Sequence, residues 1–221
     1  PVVGTGFLAR RISGHDDPIL PLPLLAIPSF RVAISSLFLF GLGFFSSMLV
    51  VVLYLTEMAG YSTVRTGFGV SVLATMAFTT ANFSGRLADR FGHRRIAVPG
   101  MCSFILGCLW LYQSAGANPS FFVDVFPALV LMGVGIGSGP TLLSAAAVSE
   151  VDPSNFSVAG AVAQTARQLS GAIGISIAVA ISGSNADEDA FRATFLYLTI
   201  VAAMSAIAAL KLPAANATRK L

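Results

Sequence analysis

Long apolar runs separated by short polar segments dominate the pattern of this chain. A helix needs about 20 mostly apolar residues to cross the hydrocarbon core of a bilayer, and six runs reach that length. The pattern therefore predicts an all-α, polytopic membrane protein in which a six-helix transmembrane bundle occupies residues 30–212. The six predicted spans cover roughly residues 30–55, 66–84, 96–115, 121–148, 156–182 and 191–212.

The two ends of the chain lack such runs. Residues 1–29 contain prolines at positions 18, 21, 23 and 28, and repeated prolines prevent a regular helix. We expect this stretch to be a linker or an interfacial lead-in, and residues 213–221 to be a cytoplasmic tail. The chain starts at Pro1 without a signal-peptide pattern. That start favours a fragment, or the tail of a longer gene product.

The composition agrees with a membrane protein. The chain of 221 residues is 55% hydrophobic and 10% charged, with a mean hydropathy of +0.81. Soluble domains carry about 25% charged residues, because a surface in water needs polar cover. The net charge of +3 comes from short basic clusters between apolar runs, so we expect the lipid bilayer as partner and no nucleic acid. Cys102 and Cys108 lie in one apolar run without a nearby histidine, which favours packing and predicts no metal site.

The basic residues also predict the orientation, because cytoplasmic loops carry an excess of Lys and Arg. With the N-terminus inside, ten basic residues face the cytoplasm and two face outward. We therefore expect a multi-pass protein of the cell membrane with both termini cytoplasmic. The predicted cytoplasmic set is Arg10, Arg11, Arg31, Arg86, Arg90, Arg94, Arg95, Lys211, Arg219 and Lys220, and the predicted external pair is Arg65 and Arg192.

One short segment between the second and third runs is strongly charged. Residues 85–95 read GRLADRFGHRR and are called the signature segment below. The segment is expected to form a turn, since glycine permits tight backbone geometry, and its carboxylate has basic partners nearby. From charge alone, a solvated determinant of topology and a functional role both remain open. The candidate functional residues of the segment are Gly85, Arg86, Asp89, Arg90, Gly92, Arg94 and Arg95.

The fourth run contains alternating glycines. Residues 131–147 read LMGVGIGSGPTLLSAAA. No Lys-Ser/Thr pair follows, so the run is not a phosphate-binding loop. Its two overlapping GxxxG spacings instead predict close helix packing in lipid, and its proline permits a bend. The predicted packing residues are Gly133, Gly135, Gly137, Gly139 and Pro140.

The fifth run carries the polar residues Gln164, Arg167 and Gln168 in an apolar setting, followed by Gly171 and Gly174, for which we also expect close packing. A charge within the membrane is costly, and the polar residues share one helical face with Gly171. We expect Arg167 to face protein or water. The alternative is that its side chain extends to the cytoplasmic headgroups.

Asp124 is the other candidate polar residue of the membrane region. It lies close to the external start of the fourth run. That position favours an interfacial carboxylate over one in the membrane interior.

The signature segment resembles the loop that the major facilitator superfamily has between the second and third helices of each six-helix half, with the approximate pattern G-x-L-a-D-r-x-G-r-r. Residues 131–147 and 159–180 are similar to late helices of the fourteen-span drug:proton antiporter group, and the lead-in resembles that group's interhelical segment. The resemblance covers about residues 14–212. Gln164 replaces the usual Asn and Ser170 the usual first Gly, which are mild departures.

The resemblance implies that the chain corresponds to the C-terminal half of a proton-coupled multidrug efflux transporter. Its partners would be the missing N-terminal half and a small-molecule substrate, and a proton gradient rather than a cofactor would supply the energy. Asp89 and the arginines around it would latch the cytoplasmic face. The main alternative is a truncated, non-transporting remnant. No catalytic constellation favours an enzyme, and no repeated polar face favours a channel.

Overall fold

The computed structural model describes Leu24 and residues 26–116, 119–148, 151–183 and 187–212. Most of the predicted lead-in and the tail 213–221 therefore lie outside the described residues. Six long helices run through the described part, and no strand occurs in it. They are α1 (Pro28–Leu53), α2 (Thr63–Phe91), α3 (His93–Ser114), α4 (Phe126–Val148), α5 (Phe156–Ser182) and α6 (Glu188–Ala209). The all-α, six-helix prediction is confirmed.

Short irregular helical turns extend three of these helices. A π-helical turn, Tyr54–Met58, continues α1, another, Phe121–Val125, leads into α4, and a 3₁₀ turn, Pro153–Asn155, precedes α5. Pro28 occupies the first turn of α1, where a missing N–H costs nothing. With their turns, α1 and α4 reach 31 and 28 residues, which is longer than a bilayer crossing requires.

Four of the six helices are long and apolar enough to cross a membrane by length and composition. They are α1 and α4 with their π-helical turns, α3 and α6. The remaining two, α2 and α5, carry more polar residues along their length. A helix that faces protein rather than lipid tolerates such residues.

The packing centres on α1 and α4. Helix α4 contacts α1, α2 and α3, whereas α1 contacts α5 and α6, and α3 contacts α6. Aromatic side chains fill the centre: the rings of Phe40 and Phe104 lie 5.3 Å apart, and Tyr54 meets Phe191 and Phe195 edge-on at 5.4 and 5.5 Å. All five side chains are almost fully buried. Helices α2 and α5 lie at the edges of this core, each with a broad exposed face.

Two of the helices extend beyond the predicted spans. The second span was expected to end at residue 84 and the third to start at 96, but α2 continues to Phe91 and α3 begins at His93. Hydropathy reports solubility in lipid, whereas arginine, leucine and alanine are good helix formers in water as well. The charged ends of both helices are therefore helical and extend beyond the apolar stretch.

Several hydroxyl groups within the helices form hydrogen bonds within their own helix. Ser71, Thr79 and Ser176 each donate to the carbonyl oxygen four residues earlier, at 2.7–2.8 Å. Such bonds satisfy a polar side chain where no water is available. Other hydroxyl groups join two helices: Ser182 of α5 lies 3.3 Å from the Thr194 hydroxyl of α6. Ser36 of α1 and Ser205 of α6 donate to each other's backbone carbonyl oxygens at 2.8 and 2.7 Å.

Candidate functional site

The signature segment is mostly helix rather than a loop. Residues 85–91 form the last turns of α2, residues 93–95 begin α3, and Gly92 alone makes the turn, with φ of 91°. That φ is strained for residues with a Cβ, so glycine is required there. Gly85 is helical, and a Cβ added to it would meet no atom within 4 Å. The expectation that Gly85 permits a tight turn is therefore wrong, because the chain turns at Gly92.

The charges of the signature segment lie on the surface and are largely unpaired. Asp89 is exposed, and among the described residues it makes no ion pair and no hydrogen bond. Its neighbours Arg86 and Arg95 are exposed too, and the Arg90 guanidinium lies 5.4 Å from the centre of the Phe91 ring. The structure does not bring Asp89 together with any of these arginines. The acidic group is therefore available to a partner outside the described part of this chain.

Arg94 connects the signature segment to the end of α6. Its Nη1 donates to the carbonyl oxygen of Leu212 at 3.4 Å. Because α6 ends at Ala209, this bond joins the start of α3 to the short segment that follows α6. The end of the bundle where α1 and α3 begin and α2 and α6 end is called the basic end below.

The glycines of α4 face two different neighbours. A Cβ added to Gly133 would approach the Leu73 carbonyl oxygen of α2 to 2.8 Å, and one added to Gly137 would overlap the carbonyl oxygen of Ala77. The four-residue spacing places both glycines on one side of α4. The backbones of α2 and α4 therefore approach each other as the GxxxG spacing predicts.

The alternate glycines of α4 contact α3 and α1. A Cβ on Gly135 would meet the Gly100 carbonyl oxygen at 2.7 Å, and one on Gly139 would meet the Phe40 ring at 3.0 Å. Pro140 follows inside α4, which remains helical through it. The two overlapping spacings thus serve different neighbours, α2 on one side and the α3–α1 side on the other.

Helix α5 uses its own glycines against α1. A Cβ on Gly174 would meet Leu42 at its backbone, with the Cα at 2.8 Å and the carbonyl carbon at 2.9 Å, and one on Gly171 would meet the Phe45 ring at 2.8 Å. Ser170, one turn before Gly174, packs against Gly41 and donates to the carbonyl oxygen of Arg167 at 2.7 Å. Small residues therefore permit the close approach of α1 and α5 along residues 170–174.

The intramembrane polar residues of α5 lie beside this contact. The Arg167 guanidinium donates from Nη2 to Oε1 of Gln164 at 2.7 Å. Its Nε is buried and has no hydrogen-bond partner among the described residues. Gln164 and Gln168 are exposed on the surface of the bundle, whereas Arg167 is half-buried and Gly171 is buried. The side chain therefore lies half-buried beside the exposed face of α5, with its unpartnered Nε out of reach of solvent.

Asp124 lies at the end of the bundle that is opposite the basic end. Its Oδ2 accepts a hydrogen bond from the backbone N–H of Ser120 at 2.7 Å, within the π-helical turn that leads into α4. A carboxylate is favourable at a helix start, where N–H groups lack helical partners.

At the basic end, Asp152 similarly accepts from the hydroxyl and the backbone N–H of Ser154, at 2.6 and 2.9 Å. These bonds lower the pKa of Asp152.

The structure also shows an exposed row of small and hydroxyl-bearing residues on α2 that the sequence analysis did not identify. Gly67, Ser71, Thr75 and Thr79 follow one another at four-residue spacing, and all four are exposed. Helix α5 repeats the arrangement: Ala172, Ser176 and Ala180 line a shallow depression of about 400 Å³ together with two isoleucines. The four-residue spacing of these residues can be read from the sequence. In α2 it is inconspicuous, because the residues lie within an apolar run that contains no charged residue.

Comparison with known proteins agrees with this architecture. Residues 33–221 match the Major Facilitator Superfamily. Among similar proteins are a lincomycin resistance protein of Listeria innocua, 21% identical over 81% of this chain, and a puromycin resistance protein of Streptomyces alboniger, 28% identical over 82%. A methylenomycin A resistance protein of Streptomyces coelicolor is 26% identical over 85%. The aligned region spans 38%, 36% and 39% of these three relatives.

The family match covers most of the chain, and the structure supplies the helices that such a protein needs. Glycine contacts hold the helices together, and the signature segment forms the end of α2, the turn at Gly92 and the start of α3. The chain is therefore a multi-pass membrane protein of a transporter family and not an enzyme: it belongs to the major facilitator superfamily.

Proposed function

We propose that the chain is the C-terminal half of a proton-coupled efflux transporter that exports small organic compounds. Relatives named for resistance to lincomycin, puromycin and methylenomycin A support the substrate class. The chain spans well under half the length of these three relatives, which supports a second half. In this proposal the two halves rock about a site near the membrane midplane.

The observation that carries the proposal is the exposed polar face of α5. Gln164 and Gln168 are exposed, and the half-buried, charged Arg167 side chain between them donates a hydrogen bond to Gln164. In lipid, an unsatisfied polar group costs several kcal/mol, and an arginine at the helix centre about 2.5–3.5 kcal/mol on insertion scales. These costs are avoided if the face borders a second helical half or a water-filled cavity.

The exposed face of α2 supports the same arrangement. Its small residues at positions 67, 71, 75 and 79 would permit a close approach by another helix, as glycines already permit between α2 and α4. In the proposed full protein, α2 and α5 border the other half, and α3 and α6 face lipid. This assignment also accounts for the composition of the helices, since α2 and α5 are the two that are not apolar enough to be candidate spans.

Proton coupling would depend on the other half. Among the described residues, Glu57 and Asp124 lie at the ends of α1 and α4, and Asp89 lies in the signature segment. None of the three lies deep within a predicted span, where a proton-carrying carboxylate is expected. In this proposal α5 contributes Arg167 and other polar side chains to the wall of the cavity between the halves. The exposed Asp89 holds the cytoplasmic face against the partner half.

Ethidium efflux from intact bacteria tests the proposal. The coding sequence that precedes the chain in its genome is joined in frame to that of the chain, and the product is called the joined protein. Accumulation of the dye is followed before and after a protonophore is added. We expect the joined protein to lower accumulation until the protonophore collapses the gradient. Efflux that survives the protonophore would exclude proton coupling. An inserted joined protein that exports no ethidium or other cationic dye would favour the non-transporting remnant.

A further inference from the structure

A groove runs between α1 and α6 at the basic end of the bundle. It encloses about 390 Å³ and is open to the outside of the bundle. Two of its side chains, Met204 and Ile207, are 49% and 60% exposed, although α1 and α6 are otherwise well packed. The groove is lined by Arg31, Val32, Ser35, Leu39, Met204, Ile207, Ala208 and Lys211.

The polarity of the groove changes in one direction along both walls. On α1, Arg31, Ser35 and Leu39 follow at four-residue intervals, so each lies about 6 Å deeper than the one before. On the α6 side, Lys211 is followed by Ile207 and then by Met204. From the basic end inward, the walls therefore present cations, then a hydroxyl group, then hydrocarbon. A glycerophospholipid has the same order: phosphate, ester groups and acyl chains.

The charge of the groove is unbalanced. Among the described residues, no acidic residue lines the groove, and neither Arg31 nor Lys211 forms an ion pair. Both side chains are exposed, so a ligand can reach them from the membrane. Basic residues close to a membrane surface attract anionic lipid. The phosphate of a zwitterionic lipid is already balanced by its own ammonium group and gains less from the two cations.

We propose that this groove binds one anionic glycerophospholipid from the leaflet at the basic end. Arg31 and Lys211 bind the phosphate, the Ser35 hydroxyl donates to an ester carbonyl oxygen, and one acyl chain lies along Leu39 and Met204. The lipid fills the outer seam between α1 and α6, away from the polar faces of α2 and α5. The site therefore does not depend on the proposed transport activity, and failure of either proposal leaves the other standing.

Native mass spectrometry of the purified full chain tests the site. Phosphatidylglycerol and phosphatidylcholine with the same acyl chains are titrated separately, and bound lipid is counted. We expect tighter binding of phosphatidylglycerol. The double variant Arg31→Gln/Lys211→Gln should lower its affinity about 100-fold, because each direct hydrogen bond between a cation and the phosphate contributes about tenfold, and should change phosphatidylcholine binding little. Ile207→Trp keeps both charges but fills the groove, and should weaken both lipids.

Arg90→Gln/Arg95→Gln is the matched control. It removes two exposed cations from the same end of the bundle but outside the groove, and should change phosphatidylglycerol affinity less than twofold. Equal affinity for the two lipids, or an equal loss in the control, would overturn the proposal. So would equally strong competition by glycerophosphoglycerol without acyl chains, which would indicate a phosphate site. Binding that starts only after residues 1–23 are deleted would show that the chain itself occupies the groove.

Discussion

The contact between α1 and α5 gives the sharpest stability prediction. Gly174 of α5 faces the backbone of α1, and an added Cβ would lie 2.8 Å from the Leu42 Cα and 2.9 Å from its carbonyl carbon, with the carbonyl oxygen closer still. These three atoms are backbone, so they cannot rotate away as the end of a side chain would. The Gly174→Ala variant must therefore push α5 away from α1.

A matched control exists in the same helix. Gly160 of α5 is exposed, and an added Cβ would meet no atom within 4 Å. Both substitutions gain the same helix propensity, about 0.8–1.0 kcal/mol, so the difference between the variants isolates the steric cost. Overpacking of this kind costs about 1–3 kcal/mol. At roughly 2–4 °C per kcal/mol for a chain of this size, Gly174→Ala should unfold about 2–12 °C below Gly160→Ala.

The chain carries its own reporter for this measurement. Cys108 is fully buried and Cys102 is exposed, so in a Cys102→Ala background a thiol-reactive fluorescent dye reacts only as the bundle opens. The purified chain in detergent is heated with the dye, and the midpoint of the fluorescence rise is recorded for both glycine variants. Equal midpoints would refute the close approach of α1 and α5. A lower midpoint for Gly160→Ala would contradict it as well.

Three further predictions concern orientation and transport. Single cysteines at positions 63 and 189, next to Ser62 and Glu188, should react with an impermeant thiol reagent on intact cells, whereas His93→Cys should not; external labelling at position 93 would contradict the topology. In the joined protein, Asp89→Asn should impair efflux at unchanged membrane abundance, and normal efflux would favour a role in topology alone. Arg167→Ala and Arg167→Lys should each lower efflux about tenfold, as expected if a charge-assisted bond of about 1.5 kcal/mol is lost. Full activity of the Lys variant would exclude a specific guanidinium contact, and full activity of both would favour a side chain that extends to the headgroups.

The sequence predicted the helices and the small residues between them because both depend on local composition. Six apolar runs of sufficient length became six helices, and the GxxxG spacing of Gly133 and Gly137 became the contact with α2. Small residues permit close packing whatever the partner is. The sequence could not tell which neighbour each glycine would meet, since that depends on the arrangement of all six helices.

Other features could not be read from local composition. The charged residues 85–95 were predicted to form a turn, but in the structure all of them except Gly92 belong to α2 or α3. The reciprocal bonds between Ser36 and Ser205 join residues 169 positions apart, and the contact of Arg94 with Leu212 spans 118 positions. Such pairs depend on tertiary packing, because an isolated serine in an apolar run usually bonds to its own helix.

The central claim is that this six-helix chain works only with a second half. The most direct measurement is ethidium efflux from cells that express the chain alone, the preceding segment alone, or both as separate polypeptides, with membrane insertion checked in each case. We predict efflux only when both are present, because the polar faces of α2 and α5 then border a shared cavity. Robust efflux from the chain alone would contradict the account and would indicate a transporter built from copies of this chain.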